Sequence, residues 1–196
     1  SVGATALRTL YGLIISFLLG FTVGIISGTY SRADALLSPL VSLTRTVPVM
    51  SVILLAMIWF KTDMVPVFVS VLMIFPIITA NVRTGVKNTD LKLHELGTAY
   101  GLTRMEMLVE ITVPTVIPFV LAGLRSAIGV GWKVVIAAEV LSQPVSAIGT
   151  GLQFAQMNLE TAEVMAWTLV AVILSWFSEL VLDFIIRHRR WERANV

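Results

Sequence analysis

Five apolar runs, each about as long as a bilayer is thick, dominate this sequence, and one long polar interval separates the third from the fourth. A helix needs roughly 20 apolar residues to cross a hydrocarbon core. The runs cover about residues 6–28, 38–60, 64–82, 109–137 and 163–186. Lipid offers no hydrogen bonds to the backbone, so such runs are read as helices, which satisfy their own polar groups. Composition agrees. Charged residues are 13% of the 196, against about 25% in a soluble domain, and the mean hydropathy is +0.89. So little charge cannot coat a water-facing surface. The expected fold class is all-α: a polytopic membrane protein with about five transmembrane helices, residues 1–196 forming one domain in the lipid bilayer.

A net charge of +2 and a pI near 9.2 invite a nucleic-acid reading. The placement of the basic residues argues against it. Of the fourteen, Arg83, Lys87 and Lys92 lie in the central interval and Arg187, Arg189, Arg190 and Arg193 in the tail. That distribution controls topology. With five spans, the interval and the tail fall on one side of the membrane. The break with Arg32 falls there too, while Lys61, Glu160 and Glu163 fall on the other. The N-terminus is therefore expected outside and the C-terminus in the cytoplasm. Cysteine is absent, which excludes disulfides, thiolate metal sites and thiol nucleophiles. His94 and His188 lack ligand spacing, so neither metal nor cofactor is expected.

Local signals refine the runs. Gly20 and Gly24 form a small-xxx-small pair that admits a close helix neighbour. Pro48 should kink or restart the second span, with an interfacial stretch before it, and Pro76 lies inside the third. The interval, about 83–108, is structured. Thr89 or Asp90 caps a helix running to Tyr100, Gly101 stops it, and Thr103 with Glu106 forms a capping box for the next helix. The fourth span is broken by Pro114 and Pro118. The segment GTGLQFAQMNLE reads as a short helix at the outer face, and the last span ends in a basic clamp, RHRRWER.

Glu95, Leu96 and Gly97, then Gly101, Ile111, Val113 and Pro114, resemble the EAA motif of binding-protein-dependent importer permeases: E-A-A, three residues, G, nine residues, I, one residue, L-P. From Glu95 the glycine, isoleucine and proline stand six, sixteen and nineteen positions on, as in that motif. Leu96 and Gly97 replace two alanines and Val113 a leucine, changes expected to loosen small-residue packing slightly. PLVSLTRTVPVMSVILLAMIWF, FPIITANVRTGV, GLR, GVGWKVVIAAEVL and GTGL are similar to the nitrate, sulfonate, taurine and bicarbonate branch. The resemblance covers nearly the whole chain. It implies a type I importer permease fold and a permease subunit of an ATP-binding-cassette importer. This subunit would form the translocation pathway as a homodimer in a bacterial-type cytoplasmic membrane. The implied partners are separate ATPase subunits, an extracytoplasmic substrate-binding protein and a second permease copy, with no nucleic acid. The implied cargo is a small anion or small polar organic molecule.

By the same resemblance the helix of about 90–100 is the coupling helix. Asp90, Leu93, Glu95, Leu96, Gly97, Tyr100, Gly101, Leu102, Ile111 and Pro114 are then the ATPase-coupling residues, with Leu93, Leu96 and Tyr100 as the docking face. Glu95 either pairs with a basic group of the partner or satisfies backbone donors at the turn. Relatives usually carry a further N-terminal span, so a truncated or unusually short member is expected. No nucleotide-binding loop or catalytic constellation occurs, so the chain itself is not expected to be an enzyme.

Arg125, Lys133 and Glu139 are candidates to line the route. Against this, Lys133 and Glu139 snorkel to the interface and Arg125 pairs within the bundle. Asn81 and Arg83 mark the interface. Glu179 and Asp183, four apart, would relay protons in the alternative class, a gradient-driven secondary transporter. Otherwise Asp183 pairs with Arg187.

Overall fold

The computed structural model describes residues 1–194, excepting the side chains of Leu91, His94, Arg104 and residues 187–194. The expected basic clamp at RHRRWER lies outside those described side chains. Among the described residues nine α-helices follow one another: α1 Val2–Thr29, α2 Ser31–Thr46, α3 Val49–Trp59, α4 Val65–Lys87, α5 Leu91–Ala99, α6 Arg104–Met107, α7 Val113–Ser142, α8 Ile148–Met157 and α9 Thr161–Ala194. A π-helical turn, Leu108–Thr112, joins α6 to α7. Four helices are long and apolar enough to cross a membrane. The bent pair of α2 and α3 brings the number to five.

The first helix shows why this bundle belongs in lipid. Its buried residues are Thr5, Thr9, Gly12, Ser16, Gly20, Gly24 and Ser27, all small and three or four apart. Its large residues, among them Leu10, Ile14 and Leu18, face outward. That pattern inverts the soluble rule and fits helices held by close backbone approach. α1 and α4 run parallel. A Cβ at Gly20 would come within 2.9 Å of Ile78, at Gly24 within 2.6 Å of Val82 and at Gly28 within 2.5 Å of Val86. The expected small-residue pair is thus part of a seam that runs the length of the helix.

α7 packs antiparallel on α4, with Gly123 against Asn81 and Gly131 against Ile74. Two apolar clusters fill the bundle. Val52, Ile53, Ala56, Val65, Val69, Val134 and Ala138 join α3, α4 and α7. Nearer the 83–108 segment, Ile74, Ile78, Val82, Val116 and Ala127 meet Leu13, Phe17 and Phe21.

The second span departs from the reading of its sequence. The polar break shrinks to Tyr30, and α2 begins at Ser31, earlier than the expected start of the span near residue 38. Asp34 sits in its first turn, where a negative charge favours the helix N-terminus. The turn at Pro48 bends α3 away from α2 by 95°, because proline disfavours α-helical backbone at the residue before it. The fourth span is longer than expected, continuing to Ser142. It ends at Gln143, which adopts a left-handed conformation ahead of Pro144.

Candidate functional site

The segment between α4 and α7 folds into a closed knob. Asp90 caps α5, its carboxylate accepting the Lys92 N–H at 2.9 Å. At the other end Gly101 has φ +76°. The Gly101 N–H donates to Thr98 O at 3.1 Å and the Leu102 N–H to Gly97 O at 2.9 Å, the paired bonds of a Schellman motif. One residue later the capping box forms. Glu106 accepts the Thr103 N–H at 2.7 Å, while Thr103 Oγ1 accepts the Glu106 N–H at 3.3 Å. Two helix ends therefore meet at Gly101–Thr103 with their orphan backbone groups satisfied, which makes the corner stiff.

Gly97 explains the long spacing of the motif. It is buried, and a Cβ there would stand 3.2 Å from Leu102, Met107 and Ile111 alike. Residues 97 and 111 therefore meet inside the knob, fourteen positions apart. An alanine here would need those side-chain ends to give by a few tenths of an ångström. Leu96 points outward, so its bulk disturbs nothing. Beyond Ile111, Pro114 lies in the first turn of α7. Proline lacks an N–H to donate to the carbonyl four residues back, and the π-helical turn ends just before it.

The outer face of the knob is apolar. Leu93 and Leu96 are about half exposed and Tyr100 is 82% exposed. Glu95 is exposed beside them and makes no ion pair among the described residues.

The knob is tied to the bundle through α4. Asp34 of α2 receives Arg83 through Nε at 2.5 Å and Nη2 at 2.7 Å, and Lys87 at 2.5 Å. Arg83 thus does more than mark an interface: it fastens α2 to the last turns of α4. Asn81 bonds back to Ile77 O and faces Gly123.

The route candidates separate. Arg125 pairs with Asp183 of α9 at 2.7 Å, both partners well exposed. The pairing expected within the bundle is found, and Asp183 uses Arg125; the side chain of Arg187 is not among those described. Lys133 and Glu179 line a furrow of about 340 Å³ between α7 and α9, with Trp132, Ser175 and Trp176. Glu139 does not join them, nor does it snorkel. It is 0% exposed at the end of the bundle opposite the knob. It accepts from Thr5 Oγ1 at 2.9 Å, Arg8 Nη1 at 2.8 Å and the Gly149 N–H at 3.2 Å. Arg8 also donates to Asp63 at 2.5 Å and Ser146 O at 3.0 Å. This knot joins α1, α7, the start of α8 and the α3–α4 loop. Arg8 and Thr5 carry no signal in sequence, because their partner lies more than 130 residues away.

An all-helical bundle of up to five spans, bearing a stiff polar-side knob with an apolar outer face, defines a transport-system permease of the type I importer fold. Residues 20–189 match the model of the family described as binding-protein-dependent transport system inner membrane component, and the chain belongs to that family. The taurine transport system permease protein TauC of Escherichia coli K12 is 29% identical over 182 residues, covering 92% of this chain and 66% of that protein. The bicarbonate transport system permease protein CmpB of Synechococcus elongatus is 26% identical over 196 residues, covering 98% and 69%. The chain thus spans about two thirds of the length of the curated relatives it matches. Among solved structures, a chain of the MetNI methionine ABC transporter in inward-facing form superposes with a TM-score of 0.77 at 17% identity, covering 96% of this chain and 94% of that one.

Proposed function

We propose that this chain is the transmembrane permease subunit of an ATP-binding-cassette importer. It forms the translocation route with a second permease copy, receives cargo from an extracytoplasmic binding protein, and leaves ATP hydrolysis to separate ATPase subunits. The knob lies in the cytoplasm and the N-terminus of this chain outside, as the basic residues of the 83–108 segment require. The cargo is a small anion or small polar organic molecule, in keeping with relatives named for taurine, sulfonates and bicarbonate.

The observation that carries the reading is the knob: a helix locked at both ends that presents Leu93, Leu96 and Tyr100 to water. Exposed apolar side chains on so stiff an element suit a protein groove, and burying each contributes about 2 kcal/mol. Closure of two ATPases on ATP would draw the knobs together and tilt α4 and α7, to which they are joined. Nucleotide supplies the differential stabilisation that such a switch needs. The α7–α9 furrow supports a route along that face, since the half-exposed Arg125–Asp183 pair suits a water-filled or protein-covered surface better than lipid.

The test is co-purification and uptake. Leu96→Asp and Tyr100→Asp alter outward side chains, so folding should persist while the ATPase is lost and ATP-driven uptake falls at least tenfold. A stoichiometric ATPase that stays bound to the double variant, with uptake intact, would defeat the reading. Uptake without ATP that Glu179→Gln abolishes would favour the gradient-driven alternative.

A further inference from the structure

Between α1, α2 and α4, near the knob, lies a cavity of about 60 Å³. Taking about 10–15 Å³ per water-sized position, it has room for roughly four to six such positions. Its polar lining comes from Ser27, Ser38, Ser42, Arg45, Thr79 and Arg83. Every polar side chain in that set can donate a hydrogen bond, and no carboxylate is among them.

Many helical hydroxyls in the bundle fold back on a carbonyl of the preceding turn, as at Thr9, Thr22, Ser70, Thr84 and Ser142, the ordinary local alternative for such side chains, whereas exposed ones such as Ser51 and Ser126 do not. Ser27, Ser38 and Ser42 make no hydrogen bond among the described residues. Ser27 is 2% exposed and lines the cavity. Ser38 is half-buried and Ser42 and Arg45 are exposed at the cavity's mouth, so Ser27 is the hydroxyl that most needs an acceptor between the helices, an unpaired buried hydroxyl costing about 1–3 kcal/mol.

Charge points the same way. Arg45 spends one N–H on Pro76 O at 2.8 Å. Arg83 donates through Nη2 to Asp34 and lies ion-paired with it through Nε. With Lys87 on the same carboxylate, three cations stand against one anion here, a surplus of two positive charges.

We propose that this cavity binds a small oxyanion, held by the three serine hydroxyls and the Arg45 guanidinium, which joins α2 to α1 and α4 beside the knob. Two sources share that chemistry: a free anion of sulfate or bicarbonate size, and the phosphate of an anionic lipid. The site does not depend on an ATPase partner, so its test stands apart from that of transport.

The full-length protein, with whatever subunits accompany it, is placed in phosphatidylcholine nanodiscs and melted against sulfate in the millimolar range at constant ionic strength, with chloride as balance. The expected result is a saturable rise in Tm specific to sulfate. Arg45→Gln and Ser42→Asp should weaken it at least tenfold, while Lys61→Gln, a charge change at the far end, should not. If lipid phosphate is the occupant, phosphatidylglycerol discs raise Tm without sulfate. The sulfate response then disappears, and native mass spectrometry finds a retained lipid that Ser42→Asp loses. The proposal is overturned if sulfate matches chloride and phosphatidylglycerol matches phosphatidylcholine. It is overturned equally if either effect survives both variants unchanged.

Discussion

The Arg8 guanidinium and the Glu139 carboxylate lie 2.8 Å apart, although 131 residues separate them in the chain. Replacing Glu139 with alanine leaves Arg8 without its buried partner and removes the acceptor of the Gly149 N–H at the start of α8. Breaking a buried pair from one side costs about 3–5 kcal/mol. Glu139→Ala should therefore lower Tm markedly, and Glu139→Gln should cost less. In a double-mutant cycle, Arg8→Ala with Glu139→Ala should fall well short of the sum of the single losses.

Gly101 holds the corner of the knob at φ +76°. A residue with a Cβ in that conformation costs about 1–2 kcal/mol, although open space surrounds the position. Gly101→Val should leave the melting of the bundle nearly unchanged and reduce ATP-driven uptake, because only the knob is disturbed. Gly101→Asn should retain more activity, since asparagine tolerates left-handed backbone. Hydrogen exchange over residues 95–106 and uptake into vesicles check both.

At Gly24 a side chain meets the backbone seam directly, 2.6 Å from Val82 Cβ. Gly24→Leu must push α1 from α4 and should cost about 1–3 kcal/mol by overpacking. Gly3→Leu, where nothing lies within 4 Å, should be neutral. Thermal unfolding in one detergent compares the two.

Glu160, in the exposed α8–α9 connection, has its pKa raised by its hydrogen bond to Glu163 and by repulsion from that charge. The raised value means the folded state holds its proton more tightly than the unfolded chain. The resulting stabilisation is complete below the ordinary carboxylate range and is lost as pH rises through the folded pKa. Glu160→Gln should therefore melt higher than the wild type at pH 8, with the gap closing as pH falls toward 4. A Tm series over that range is the measurement.

The knob was legible in sequence because its devices are local. Asp90 to Lys92, Gly101 to Thr98 and Thr103 to Glu106 span two or three residues each, so composition and spacing suffice to see them. The five spans were legible for a similar reason, since apolar length is a one-dimensional property. Long-range pairs were not. Glu139 reads as an interfacial charge until α8 and α1 close over it, and the sequence offers Asp183 only the nearby Arg187, whereas α7 also brings Arg125 alongside. The contacts of Gly97 were not legible, because Met107 and Ile111 become its neighbours only once Gly101 turns the chain back. The 95° bend at Pro48 was half visible: proline marks the break, but the angle comes from packing α3 on α4 and α7.

The seam of glycine, serine and threonine along α1 has a mechanical consequence. Its glycines sit hard against Ile78, Val82 and Val86 of α4, which leaves little slack, so the α1–α4 pair is expected to move as a single plank. In the transport cycle proposed above, opening and closing would then be taken up where joints are looser, at the elbow between α2 and α3 and along the shallow α7–α9 groove. A push delivered at the end of α4 would thus arrive at the opposite membrane face undiminished by flexing on the way.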